Sequence, residues 1–141
     1  MPDTNYIRVG FFEEFKGEDT VLISVDIYGL LELQSAFHEL SKWEKPFSLS
    51  DLRNIDKRHE LPINLVSSEK DMGLRKSKDT YQWDLTPNKW NEFSEEAAVL
   101  YKNGTIGHQY LDSNAIDNLD LQVILSLNEY DILFWNNLNK K

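Results

Sequence analysis

Thr86-Pro87-Asn88-Lys89-Trp90-Asn91-Glu92-Phe93-Ser94-Glu95-Glu96-Ala97-Ala98-Val99-Leu100-Tyr101-Lys102-Asn103-Gly104 opens the stretch that decides the fold, which runs on to Leu127. Trp90, Phe93, Ala97 and Leu100 recur at helical spacing. Proline at the first helical position and glycine just past the last match the asymmetry of helix ends. Two strands are expected after it, Thr105 to Leu111 and Leu119 to Leu127. In the second, Leu119, Leu121, Val123, Leu125 and Leu127 alternate with Asp120, Gln122 and Ser126. Ile124 makes the other face partly apolar too, which sets this strand well inside a sheet.

Working outward, Thr20 to Ile27 alternates in the same way, with Val21, Ile23, Val25 and Ile27 on one side. Leu22 interrupts its polar side, so that side is expected to be partly covered. Tyr6 to Phe12 reads as the strand before it, joined through the acidic Glu13 to Asp19 connection. Leu30, Leu33, Phe37 and Leu40 predict an amphipathic helix over 29–43, ended by Pro46. Leu61 to Ser67 and Thr80 to Leu85 read as two further strands that pair antiparallel across a charged, mobile loop at 68–79. Residues 128–138 supply a short helix that packs Ile132, Phe134 or Trp135 onto the fold.

Strand pairs broken by helices predict an α+β fold: one antiparallel sheet of about five to six strands, with two amphipathic helices packed mainly on one face. A chain of 141 residues fits a single globular domain, 1–141. The hydrophobic share of 40% and aromatic share of 12% support a packed core. No apolar run approaches the ~20 residues of a membrane span, and Met1 to Asn5 lacks the blocks of a secretory signal. The chain has no cysteine, which excludes disulfides and thiolate chemistry and suits a cytoplasmic location.

The net charge is −9, which disfavours nucleic acid and anionic membranes as partners and favours a protein with a basic surface. Basic residues concentrate in 53–78, where Arg53, Lys57, Arg58, Lys70, Arg75, Lys76 and Lys78 face four acids. That segment has no aromatic platform for stacking bases.

Catalytic motifs are missing: no phosphate-cradling glycine loop, no nucleophile elbow and no zinc-binding helix signature. His38, His59 and His108 show no metal-ligand spacing. Asp112, Asn114, Asp117 and Asp120 look superficially like a calcium loop but lack its glycine and its terminal Glu. No metal or cofactor is expected.

His108 is the one catalytic candidate, because His108 and Tyr110 share a strand face and an imidazole can move protons near neutral pH. A structural hydrogen bond, at the sheet edge or under a helix, is the favoured reading of the same residue. Tyr81, Trp83, Trp90 and Phe93 gather at the strand-to-helix junction, where they line either a pocket or the core. Trp43 and Trp135, near chain punctuation, are candidate surface anchors.

Together these features fit a non-catalytic, acidic protein-binding module. Its concrete form is a bacterial toxin-neutralising protein of the immunity type, which needs a stable scaffold and a charged face but no chemistry. The contact residues would be Glu13, Glu14, Glu18 and Asp19, or Asp112, Asp117 and Asp120. The alternative is a small-molecule-binding domain or enzyme with a pocket near His108, Tyr110, Trp83 and Trp90.

Overall fold

A computed structural model describes residues 5–43, 45–104, 106–115, 117 and 119–137. The expectations for Met1 to Thr4, and for the ends at Thr105 and Leu138, lie outside the described residues. The elements are β1 (Ile7–Phe15), β2 (Glu18–Val25), α1 (Ile27–Leu40), β3 (Phe47–Ser48), β4 (Ile63–Ser67), β5 (Gly73–Ser77), β6 (Thr80–Leu85), α2 (Pro87–Asn103), β7 (Gly107–Tyr110), β8 (Gln122–Leu127) and α3 (Ile132–Asn136). A 3-10 turn, Leu49–Asp51, follows β3.

The α+β class holds, but the strands form two four-stranded sheets in place of one sheet of five to six. Their orders are β1-β2-β8-β7 and β3-β4-β6-β5. Neither is purely antiparallel. Each has a parallel central pair, β2 with β8 and β4 with β6, flanked by antiparallel edges. Residues 61–67 and 80–85, expected to pair antiparallel, are therefore neighbours of opposite sense to that expectation. The cause is β5, which arises inside the expected 68–79 loop and takes the hairpin position against β6.

These orders contain an internal two-fold. The succession β-β-α-β-β occurs twice, as β1-β2-α1-β3-β4 and β5-β6-α2-β7-β8, and each sheet joins the hairpin of one half to the last two strands of the other. Val25 pairs with Leu127 and Leu85 with Ser67, so the central pairs correspond at a displacement of 60 residues (25 to 85, 67 to 127). The helices follow suit: buried Leu30, Leu33 and Leu40 of α1 correspond to buried Trp90, Phe93 and Leu100 of α2.

One apolar core fills the space between these parts. It takes Val21, Ile23 and Val25 from β2, Val123, Leu125 and Leu127 from β8, Leu65 from β4, and Trp83 and Leu85 from β6. At its centre Phe37 of α1 meets Trp83 edge-on at 5.9 Å and stacks on Trp90 at 5.5 Å. Such ring pairs add about 0.5–1.5 kcal/mol each beyond burial. The helix starts are built locally. Thr86 accepts from Lys89 N–H at 3.2 Å with Pro87 next, and Asp26 accepts from Gly29 N–H at 2.8 Å. The earlier start at Ile27, against an expected 29, follows from that Asp26 cap.

The outer face of the first sheet is also covered. Leu22 and Ile124, the residues that broke their polar faces, pack with Trp135 in a second small cluster walled by Phe12, Phe15, Tyr130 and Phe134. Gly10 makes this possible: a Cβ there would lie 2.9 Å from the Trp135 ring. Leu119, expected to start the last strand, is 72% exposed instead. The chain before Gln122 crosses to the other sheet, where Leu121 N–H donates to Leu74 C=O at 2.8 Å.

Candidate functional site

Of the two acidic sets named from the sequence, Glu18 of the first meets Asp112 and Asp120 of the second in space. Because β2 and β8 are parallel with Thr20 opposite Gln122, the β1–β2 hairpin and the end of the β7–β8 connection emerge at the same end of the sheet. There Glu18, Asp112 and Asp120 line one cavity of about 320 Å³ with Tyr110 and Gln122. Glu13, Glu14, Glu18 and Asp19 are all exposed on the hairpin. Lys16 and Gly17 turn it with φ of 53° and 89°, and Asp19 braces it by accepting from Glu14 N–H at 3.1 Å.

Polar contacts hold the described residues of the connection between β7 and β8. Lys89, buried in the first turn of α2, donates to Glu92 at 2.8 Å and to Asn114 at 2.9 Å. Asp112 accepts from Asn114 N–H, and Ser113 donates to Asp120. Arg75 of β5 grips Asp117 with two hydrogen bonds, at 3.0 and 2.8 Å. Those bonds, with one from Leu119 N–H, hold the Asp117 carboxyl below its ordinary range. Asp117 thus ties the connection to the second sheet, while Asp112 and Asp120 border the cavity. A loop held this way has little ordering entropy left to lose on binding.

Acidity extends onto α2. Burial raises the Glu96 carboxyl above its usual value, and the nearby Glu92 and Asp112 charges add to the rise while Lys89 opposes it. Sequence reasoning missed Glu92 and Glu96, although Lys89, Glu92 and Glu96 have the spacing of one helix face. Gln122 was missed because its alternation with the core leucines marked it only as outward-facing.

The remaining candidates disperse. His108 and Tyr110 lie on the outer face of the first sheet, opposite Ser126 and Ile124. His108 Nδ1 lies 2.9 Å from Glu129, which also accepts from Ser126 Oγ at 2.5 Å. Burial opposes the ionisation of Glu129, but the Ser126 and His108 hydrogen bonds outweigh it and keep the carboxyl low. Trp83 and Trp90 are fully buried in the main core, so the aromatics of the strand-to-helix junction pack the interior and do not converge on His108. Trp43 is 59% exposed, with φ of 60°. Trp135, expected as a surface anchor, is 1% exposed. Asp131 caps α3 and turns the chain back so that this ring fills the space above Gly10.

A second charged cluster went unread in the sequence. Arg8 is 1% exposed and donates to Asp56 at 2.9 Å, and Arg58 reaches the same carboxylate at 3.0 Å. Burial opposes the charge on Asp56, yet the two guanidiniums hold its carboxyl well below the usual range. The pair fastens 54–59 along the β1 edge, where Ile7 and Val9 N–H groups also donate to Asn54 and His59 carbonyls.

Among the described residues no three His, Asp or Glu side chains gather as a metal site, and no helix is long and apolar enough to cross a membrane. No family model matches the chain, and no curated protein or solved structure matches it either.

Proposed function

We propose that this chain is a non-catalytic protein-binding module that docks a basic partner through the acidic face formed by the β1–β2 hairpin and the β7–β8 connection. The observation that carries the reading is the shared cavity, where Glu18 meets Asp112 and Asp120 beside Tyr110. Two segments that looked like alternatives act as one surface. Clustered carboxylates on a braced scaffold steer a cationic partner and fix its register. An immunity-type protein that neutralises a bacterial toxin is the concrete form, since it needs only such a face on a stable fold. A cytoplasmic protein of this kind would meet the partner before the partner reaches its own target.

The test uses the partner recovered by pull-down from the native host. Binding is compared between about 0.02 and about 0.15 M salt, across which the Debye length shortens from roughly 20 to 8 Å. Affinity falls with salt, and the triple variant Glu18→Gln, Asp112→Asn, Asp120→Asn loses about tenfold or more, roughly 1.4 kcal/mol. Equal affinity at both salt concentrations, with the triple variant unchanged, refutes the proposal.

A further inference from the structure

The outer edge of β7 carries backbone groups that no described residue pairs with. β7 is the last strand of its sheet. Leu111 N–H donates to Val123 C=O at 2.9 Å, and the register continues with Gln109 opposite Leu125 and Gly107 opposite Leu127. Hydrogen-bonded and non-hydrogen-bonded pairs alternate along an antiparallel ladder. Gln109 and Gly107 therefore turn their N–H and C=O groups toward β8, while His108 and Tyr110 turn theirs outward.

The other long edges are occupied in part. On β1, Ile7 and Val9 N–H are taken by Asn54 and His59 carbonyls, and Ile7 C=O accepts from Asp56 N–H. On β5, Leu74 C=O accepts from Leu121 N–H. A bare edge is a template for strand addition, and native sheets commonly cover or charge such edges. β7 holds no lysine, arginine or proline. Its side chains are instead an exposed aromatic pair, the His108 and Tyr110 rings meeting edge-on at 5.7 Å.

The charged groups lining the cavity at the C-terminal end of this edge are carboxylates. Asp112 stands two residues past Tyr110, Glu18 and Asp120 join Tyr110 around the cavity, and Glu96 of α2 senses Asp112. We propose that β7 takes an added strand from the basic partner: an extended segment bearing Lys or Arg, paired to the outward groups of His108 and Tyr110, with its cations over Glu18, Asp112 and Asp120. This rests on the reading of the acidic face as the docking surface and names what that surface takes. Backbone pairing would supply affinity and alternate side chains the specificity.

The probe is a labelled peptide of about ten residues alternating Lys and Thr, a strand-forming pattern with its charges on one face. Two analogues are N-methylated, one on each alternate set of residues, so charge is kept and half the donors are removed. Anisotropy titrations on the intact protein should show one analogue about tenfold weaker and the other unchanged, because only alternate residues can pair with an edge. Tyr110→Pro, which removes an N–H that β8 does not use, should lose clearly more than Tyr110→Ala, which keeps that N–H and removes the same ring. Equal binding of all three peptides overturns the edge pairing, as does no binding of the unmodified one. If that equal binding disappears in the Glu18→Gln, Asp112→Asn, Asp120→Asn variant, the acidic face stands without the strand. If the variant binds like the parent, the acidic face itself fails.

Discussion

Arg8 shows how one residue escapes a reading of the sequence. Its place in a strand beside Ile7 and Val9 is legible, yet only the return of residues 54–59 reveals that Asp56 covers it. Neutralising one partner of a buried ion pair is destabilising, so Asp56→Asn should cost about 3 kcal/mol, measured by urea unfolding. The acid limb follows as well. A carboxyl whose folded pKa is depressed adds stability above its unfolded value of about 3.9, and that stability is lost as pH falls below it. The variant's stability should therefore fall less steeply than the parent's below about pH 4. Trp135 carries a second residue-scale lesson. Its burial depends on a bare Gly10 far away in sequence, a correspondence no local pattern encodes. Gly10→Ala places a methyl 2.9 Å from the ring. It should raise acrylamide quenching of Trp135 fluorescence, assigned by difference against Trp135→Phe. Unchanged quenching would mean that the ring seats elsewhere.

At the scale of elements, the helices were the most legible parts, because periodicity and capping chemistry are local. Thr86 and Pro87 start α2 where the sequence put it, and Gly104 ends it. The caps differ in what they hold. Thr86 accepts from one N–H, whereas Asp26 accepts from Gly29, Tyr6 and Asn5. Thr86→Ala should cost about 1 kcal/mol, and Asp26→Ala should cost clearly more, both by thermal or urea unfolding. Equal costs would show that the β1 start is not tied to the α1 cap. β5 was illegible for the opposite reason. Arg75 and Lys76, with Lys78 just past its end, give it the look of a loop, and charge is what sheet edges commonly carry. The parallel sense of β4 and β6 was hidden with it, since nothing local shows that a hairpin partner intervenes. Amide exchange should find β8 and β2, paired on both sides, slower to open than the edge strands β5 and β7.

Across the whole molecule, the two-fold arrangement of the halves could not be read from residue identity. Corresponding positions hold different residues of similar burial, such as Val21 and Tyr81, Ile23 and Trp83, or Leu30 and Trp90. Burial repeats where chemistry does not. That arrangement also brings the candidate site together, because the parallel pairing of β2 with β8 sets the first hairpin beside the last connection. Each acidic set was legible by itself, but their meeting depends on a pairing between strands roughly a hundred residues apart. The central claim is that these segments form one docking face for a basic partner. Amide exchange of the complex with the partner from the native host tests it most directly. Protection should be gained together over 13–19 and 110–122. Protection confined to one of these segments, or centred on Arg53 to Arg58, would contradict it.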